Sequence, residues 1–195
     1  ITDPLCTYPM VVSHRGEGSN HPENAISAIK SVAGLGANIV EIDIRMSQEG
    51  IPILMHDDTL TRTTDQEERF PDQSKPQDLT LEELKQLTLY DPEGLCNQNT
   101  LDEISFAERC RVPTLEEAIV AAKDRVILML DYKSGNLDAI AQVINTTQAQ
   151  NHVFFFDSDT THLNTMETSV PDLVTMPRAS DATSTAQLIE ERSPH

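Results

Sequence analysis

Three segments decide the fold: residues 10–16 (MVVSHRG), residues 38–45 (NIVEIDIR) and residues 51–58 (IPILMHDD). Each contains a short apolar run, which is typical of a buried strand, and each carries charged or imidazole side chains within the run or directly after it. In the first segment we predict a strand over residues 10–13, and Gly16 lets the backbone leave the sheet sharply behind His14. In the third segment we predict a strand over residues 51–55, which His56 follows. The pattern therefore places a histidine at the end of two separate strands.

The middle segment alternates apolar and charged residues with a period of two. This spacing predicts a strand with Val40, Ile42 and Ile44 on one face and Glu41 and Asp43 on the other. An exposed antiparallel strand would alternate in the same way. The alternation of strands and helices along the chain favours a parallel sheet instead, in which both faces are covered. We therefore expect the two carboxylates and the two histidines to converge in one site.

Composition narrows the class of protein. The chain has 195 residues, enough for one domain with a sizeable core, and 38% of them are hydrophobic, as expected of a folded chain. The formal net charge of −18 argues against binding to a nucleic-acid backbone or to anionic lipid, since both require clustered positive charge. The sequence contains no apolar run long enough to span a membrane and no signal segment. It begins with Ile1, so we expect that a signal peptide or other sequence was removed upstream, and the compartment, cytoplasmic or exported, stays open.

Strand-like and helix-like segments alternate along most of the chain, which is the pattern of βα units. We predict one domain over residues 1–195, with a helical insertion over residues 59–112 in which Thr80 and Glu83 form a capping box. Further predicted elements are helices opening at Pro22 and Pro113, strands over residues 126–130, 153–156 and 173–176, and helices over residues 137–144 and 185–191.

The cysteines and the remaining histidines give weaker signals. Cys6, Cys96 and Cys110 are odd in number and lack the C-x-x-C spacing of a zinc site, so free thiols are the simplest interpretation. A disulfide between Cys96 and Cys110 is the alternative if the protein is exported. We interpret His21, His152, His162 and His195 as surface residues.

Five motifs give the chain a resemblance to the glycerophosphodiester phosphodiesterase family. They are His14-Arg15-Gly16, Pro22-Glu23-Asn24, Glu41-x-Asp43, His56-Asp57 with Leu60-x-Arg62-Thr63-Thr64, and Pro113-Thr114-Leu115-Glu116-Glu117. The resemblance implies an α/β fold of the (β/α)₈ TIM-barrel type, with the site at the C-terminal ends of the strands. It also implies catalytic roles for His14 and His56, and a divalent metal, Mg²⁺ or Ca²⁺, held by Glu41, Asp43 and Asp131. Arg15, Glu23, Asn24 and Lys133 are the expected substrate-binding or orienting residues.

These residue types suit hydrolysis of a phosphodiester. Carboxylates are the hard oxygen ligands that Mg²⁺ and Ca²⁺ prefer, and a bound cation offsets the charge that repels a nucleophile. One histidine can remove a proton as the base while the other donates a proton as the acid, although the sequence does not fix which one is the acid. Arg15 and Lys133 can hold phosphate oxygens. Asp131 could instead be a turn or helix-capping residue, and Lys133 a solvated loop residue.

The chain departs from the family pattern in two places. Asp131 stands where the family usually has a glutamate, which puts the metal distance or the choice of metal in question. We find six strand candidates where a barrel needs eight, so the barrel is expected to be incomplete at its C-terminal end. A fragment or processed chain is our preferred explanation, with a second chain or a rebuilt end as the alternatives. Strands one and six would then have unpaired edges able to associate with another copy or another chain.

We expect a phosphodiesterase that converts glycerophosphodiesters, its small-molecule substrates, to glycerol 3-phosphate and an alcohol. A close variant is phospholipase D-type cleavage of lysolipids, which requires an apolar groove. The alternative from a different class is a non-catalytic binding or assembly module built on a truncated barrel. Retention of both histidines and both carboxylates of the Glu41-x-Asp43 motif favours the enzyme.

Overall fold

A computed structural model describes residues 10–96 and 101–178. Within these ranges the chain forms six strands and seven α-helices, with one 3₁₀ turn over Pro76–Asp78. The strands are β1 Val12–His14, β2 Ile39–Met46, β3 Pro52–Leu54, β4 Ile127–Tyr132, β5 Val153–Asp157 and β6 Val174–Pro177. The helices are α1 Ile26–Gly34, α2 Gln66–Arg69, α3 Leu81–Leu84, α4 Glu103–Cys110, α5 Leu115–Ala122, α6 Leu137–Thr147 and α7 Thr160–Ser169. None of these helices has the length and apolar character needed to cross a bilayer.

Five of the strands form a parallel sheet in the order β1-β2-β4-β5-β6. The third predicted strand, β3, does not join the parallel sheet. It pairs with the C-terminal end of β2 in the antiparallel direction, with Ile44 opposite Leu54. Only a short turn, residues 47–51, joins the two strands, too short for the crossover that a parallel pair requires. β3 is therefore a hairpin extension of β2 and is not a further parallel strand.

One face of the sheet packs against helices. Val40, Ile42 and Ile44 of β2 are buried in the main core with Leu128 and Leu130 of β4, as the period-two pattern predicted. Helices α1, α5, α6 and α7 cover this face and pack side by side in that order. The opposite face of β2 and β4 is thereby left to carry the polar residues.

The segment between β3 and α5 contributes a small helical insertion and a second core. It contains α2, α3, α4 and the 3₁₀ turn, and its Leu60, Leu79, Leu84 and Leu87 pack around Ile53 of β3. The predicted capping box is present, since Thr80 accepts from the Glu83 N–H and the Glu83 carboxylate accepts from the Thr80 N–H. It stays a prediction that residues 1–195 form one domain and that residues 59–112 are its insertion.

Several element boundaries differ from the sequence prediction. The helix expected to open at Pro22 begins at Ile26, because Asn24 has a φ of +59°, which no right-handed helix contains. α7 was not predicted, since four of its ten residues are threonine and only Leu163 and Met166 are buried. The expected helix over residues 185–191 and Cys6 lie outside the described residues.

The two outer strands of the described sheet carry exposed apolar side chains. β1 pairs only with β2 and β6 only with β5 in the part of the chain that the structure describes. Val12 is 51% exposed and Val174 is 63% exposed. Among the described strands, the sheet is thus open between β1 and β6. Cys96 and Cys110 are joined by a disulfide, which the sequence had allowed as an alternative.

Candidate active site

Three buried carboxylates form the centre of the candidate site. Glu41 and Asp43 project from the face of β2 opposite Ile42, and Asp131 lies directly beside Asp43 because β2 and β4 pair in that register. One carboxylate oxygen of each residue lies within 4.8 Å of the others. The sequence pattern predicts Asp131 just after the fourth strand, whereas the structure includes it in β4. Its place within the strand fixes its side chain on the same face as Asp43.

The environment of Glu41 is unfavourable to its charge. Burial, together with the negative charge of Asp43, raises the pKa of Glu41 to about 7. Its Oε2 accepts the backbone N–H of Arg15 at 3.0 Å. Its Oε1 is buried and has no hydrogen-bond partner among the described residues. A buried acceptor without a partner is costly, and a bound cation would supply the missing contact.

Asn24 holds Asp43 in place. Its side-chain amide donates to Asp43 Oδ2 at 2.8 Å, and its carbonyl oxygen accepts the Asp43 backbone N–H at 3.1 Å. Asn24 is 3% exposed, and its positive φ aims the amide at β2. These contacts indicate that Asn24 orients a carboxylate. Direct contact of Asn24 with substrate stays a prediction.

Three cations surround the carboxylates. Lys133 Nζ lies 3.0 Å from Asp43 Oδ1 and 2.8 Å from Asp131 Oδ2, and Arg15 Nε lies 3.3 Å from Asp43 Oδ2. Burial alone would lower the pKa of Lys133, but its contacts with Asp131 and Asp43 outweigh burial and hold that pKa above its ordinary value. The third cation, Arg178, was not assigned a role from the sequence. It donates to Asp131 Oδ2 at 2.6 Å and lies over the ring of Phe156.

His14 stands at the rim of this cluster. It ends β1, its side chain is 70% exposed, and its Nε2 lies 3.8 Å from Glu41 Oε2. The turn behind it depends on Gly16, which has a φ of +80°. A Cβ at this position would lie 2.7 Å from the Cβ of Ala28 on α1, so a side chain would push the turn away from the helix.

His56 is held by its neighbours on two sides. Its Nδ1 lies 2.6 Å from Asp57 Oδ1, and its backbone carbonyl accepts from Arg45 Nε and Nη2 at 3.0 and 2.9 Å. Arg62 pairs with Asp57 and also with Glu23, and Glu23 accepts from Arg15. The ion pairs therefore link the loop after β1 to the loop after β3.

A cavity of about 450 Å³ opens beside His14 and Arg15. Its lining includes Glu23 and Arg62, and the insertion closes another side with residues 89–92. A groove of about 840 Å³ lies elsewhere, between α1, α4 and α5, and contains none of the predicted site residues. The smaller cavity is therefore the candidate substrate pocket.

The structure brings most of the predicted site residues into one cluster that is joined by hydrogen bonds and charge contacts. Glu41, Asp43, Asp131, Lys133, Arg15, Asn24 and His14 contact one another, and His56 joins them through Asp57, Arg62 and Glu23. The interpretation of His21 and His162 as surface residues holds only in part. Both are partly buried; His21 contacts Arg109, and His162 Nδ1 lies 2.6 Å from Asp157 Oδ2. His152 is partly buried too, and His195 lies outside the described residues.

Comparison with known proteins decides the family. The sequence model of the glycerophosphoryl diester phosphodiesterase family matches residues 14–195. The chain belongs to this family. Members of the family among curated proteins include glycerophosphodiester phosphodiesterase 1 of Mus musculus, 38% identical over 108 residues, which cover 55% of this chain and 28% of the relative. The glycerophosphodiester phosphodiesterase of Caldanaerobacter subterraneus is 34% identical over 130 residues, which cover 65% of this chain and 46% of the relative. The chain thus spans less than half the length of these relatives.

A solved structure of the family agrees with the fold. The phosphodiesterase of Oleispira antarctica in complex with the product sn-glycerol-3-phosphate matches with a TM-score of 0.74 and 25% identity. The match covers 93% of this chain and 71% of that one. The α/β fold with its parallel sheet is therefore that of the family's TIM-barrel enzymes, and the open edge between β1 and β6 does not contradict it.

Proposed function

We propose that the protein is a divalent-metal-dependent phosphodiesterase that hydrolyses glycerophosphodiesters to glycerol 3-phosphate and an alcohol. The observation that supports this most is the buried triad of Glu41, Asp43 and Asp131 beside His14. Family membership and the product bound to the Oleispira relative favour this substrate class.

The residues present fit a hard divalent cation such as Mg²⁺ or Ca²⁺. Glu41, Asp43 and Asp131 would hold it, because they offer closely spaced carboxylate oxygens and the Glu41 Oε1 has no partner among the described residues. Two cations, Lys133 and Arg178, contact Asp131 Oδ2 and hold this carboxylate beside Asp43. When bound, the metal would offset the negative charge of the phosphodiester and polarise its oxygens.

The chain's own residues would bind the phosphate and move the protons. Arg15 and Lys133 lie against the carboxylates and can bind non-bridging phosphate oxygens, Arg15 through two N–H groups and Lys133 as a point charge. One histidine would accept a proton from the water whose oxygen forms the new bond to phosphorus, and the other would donate a proton to the leaving alkoxide oxygen as its bond to phosphorus breaks, which releases the alcohol. Each transfer is worth about 10²- to 10⁴-fold in rate.

Hydrolysis of glycerophosphocholine with and without EDTA tests the proposal. We expect activity that requires Mg²⁺ or Ca²⁺ and that is lost in EDTA. Glu41→Ala should lose both metal binding, measured by calorimetry, and turnover, whereas His14→Ala should lose turnover alone. His152→Gln, at a histidine outside the cluster, is the control. Full activity in EDTA would refute metal dependence.

The two histidines can be told apart by the leaving group. A nitrophenyl ester needs less protonation of its leaving group than a choline ester. The variant that lacks the acid should therefore recover part of its rate on the nitrophenyl substrate, while the variant that lacks the base stays slow on both. Equal losses for His14→Ala and His56→Ala on both substrates would contradict the division of roles. Binding of substrate and metal without turnover would support the non-catalytic alternative.

A further inference from the structure

Arg62 lies between two acidic residues and binds both through paired contacts. Its Nε and Nη2 donate to the two oxygens of Asp57, at 2.6 and 2.9 Å. Its Nη1 and Nη2 donate to the two oxygens of Glu23, at 2.9 and 2.7 Å. All three nitrogens of the guanidinium are therefore used, and its plane is fixed by two forked contacts, an arrangement that a lysine cannot reproduce.

Each of these carboxylates also contacts a residue that takes part in the proposed reaction. Asp57 Oδ1 lies 2.6 Å from His56 Nδ1, and Glu23 Oε1 accepts from Arg15 Nη1 at 3.1 Å. Arg15 in turn contacts Asp43 and, through its backbone N–H, Glu41. A continuous series of opposite charges therefore runs from His56 to the carboxylate triad, and Arg62 is at its middle.

The contact with Asp57 determines which nitrogen of His56 is available. An ionised carboxylate accepts hydrogen bonds and cannot donate them. The proton of a neutral His56 therefore resides on Nδ1, and Nε2 is left free to accept a proton. Hydrogen bonds from Arg62 hold the pKa of Asp57 well below its usual range. Burial alone would raise the pKa of Glu23, but its contacts with Arg62 and Arg15 together outweigh burial, and the pKa lies below its usual value. Both carboxylates are thus ionised acceptors at neutral pH.

We propose that Arg62 is a positioning residue that couples His56 to Arg15, so that one guanidinium sets both the ring orientation of the proton-transfer group and the direction of the phosphate-binding side chain. The inference rests on the proposed function for the roles of His56 and Arg15. The contacts themselves do not depend on it. Arg62 is 50% exposed and belongs to neither core cluster, so its replacement leaves the hydrophobic core intact.

Two variants and a matched control test the coupling. Arg62→Gln removes the charge and the fork, and Arg62→Lys keeps the charge alone. Arg69→Gln is the control, because Arg69 is a similarly exposed arginine of the same insertion and its ion pair, with Asp65, lies outside the series of charges. We expect kcat/KM to fall on the order of 10²-fold in Arg62→Gln, because a small misplacement of catalytic groups lowers the rate by about this factor. Arg62→Lys should recover little of the loss. Arg69→Gln should match the wild type.

Nitrogen-15 NMR of the imidazoles supplies a readout independent of activity. The His56 signals, assigned by their loss in His56→Gln, should show a single tautomer protonated on Nδ1 in the wild type and in Arg69→Gln. Mixed tautomers are expected in Arg62→Gln. A wild-type protein without activity would refute the proposed function, and the NMR result alone would then decide the coupling. A wild-type tautomer in Arg62→Gln, or a mixed tautomer with unchanged kcat/KM in an active enzyme, would overturn the proposal.

Discussion

Replacing Asn24 with alanine should destabilise the protein strongly, because this one side chain makes two buried hydrogen bonds and its backbone has a positive φ. The change removes a hydrogen bond to a charged acceptor, worth about 1.5–3 kcal/mol, and leaves the buried Asp43 N–H without a partner, at a cost of about 1–3 kcal/mol. Alanine at the φ of +59° adds about 1–2 kcal/mol of backbone strain. Taking the lower part of each range, we expect the free energy of unfolding to fall by about 4 kcal/mol, a large share of the roughly 5–15 kcal/mol typical of a domain.

Asn24→Gly separates the two causes. Glycine tolerates the positive φ but lacks the amide, so its loss should be smaller than that of alanine by about 1 kcal/mol. Urea denaturation followed by far-ultraviolet circular dichroism suits this chain, which contains no tryptophan. With a slope of about 2 kcal/mol/M, the midpoint of Asn24→Ala should fall by about 2 M. Asn145→Ala, which removes only an exposed side-chain hydrogen bond to the Ser169 carbonyl, is the control and should change stability by less than about 1 kcal/mol. Losses below about 1 kcal/mol for both Asn24 variants would refute the reasoning.

Three further predictions follow from the charges and the disulfide. Mg²⁺ or Ca²⁺ at 100 times its dissociation constant should raise the free energy of unfolding by about 2.7 kcal/mol, and Glu41→Gln should abolish this gain; equal stabilisation of both proteins would place the metal elsewhere. Reduction of the Cys96–Cys110 disulfide, whose cysteines are 14 residues apart, should cost about 3 kcal/mol, measured as a lower urea midpoint that a Cys96→Ser/Cys110→Ser variant reproduces. The pKa of Asp57 is lowered in the folded state, so its contribution is present above its unfolded pKa of about 4 and is lost as the pH falls further. The difference in melting temperature between the wild type and Arg62→Gln should therefore be constant above about pH 4 and narrow below it, and a difference that widens in acid would contradict this sign.

Features that depend on neighbouring residues could be predicted from the sequence. The period of two in residues 38–45 fixed which side chains of β2 enter the core, because successive residues of a strand must point to opposite faces. The capping box at Thr80 was visible in the sequence because a helix start needs only a side chain and an amide three residues apart. These interactions join residues that are close in sequence, so the sequence alone predicts them.

The assembly of the site was decided by contacts between distant parts of the chain. Asp131 reaches Asp43 only because β4 pairs with β2 in one register, and Arg178 arrives 47 residues after Asp131 by way of β6. The double fork of Arg62 likewise depends on where the loops after β1 and β3 return to the sheet. A sequence states which groups can pair, whereas strand register and loop closure decide which of them meet, because a shift of one residue turns a side chain to the opposite face.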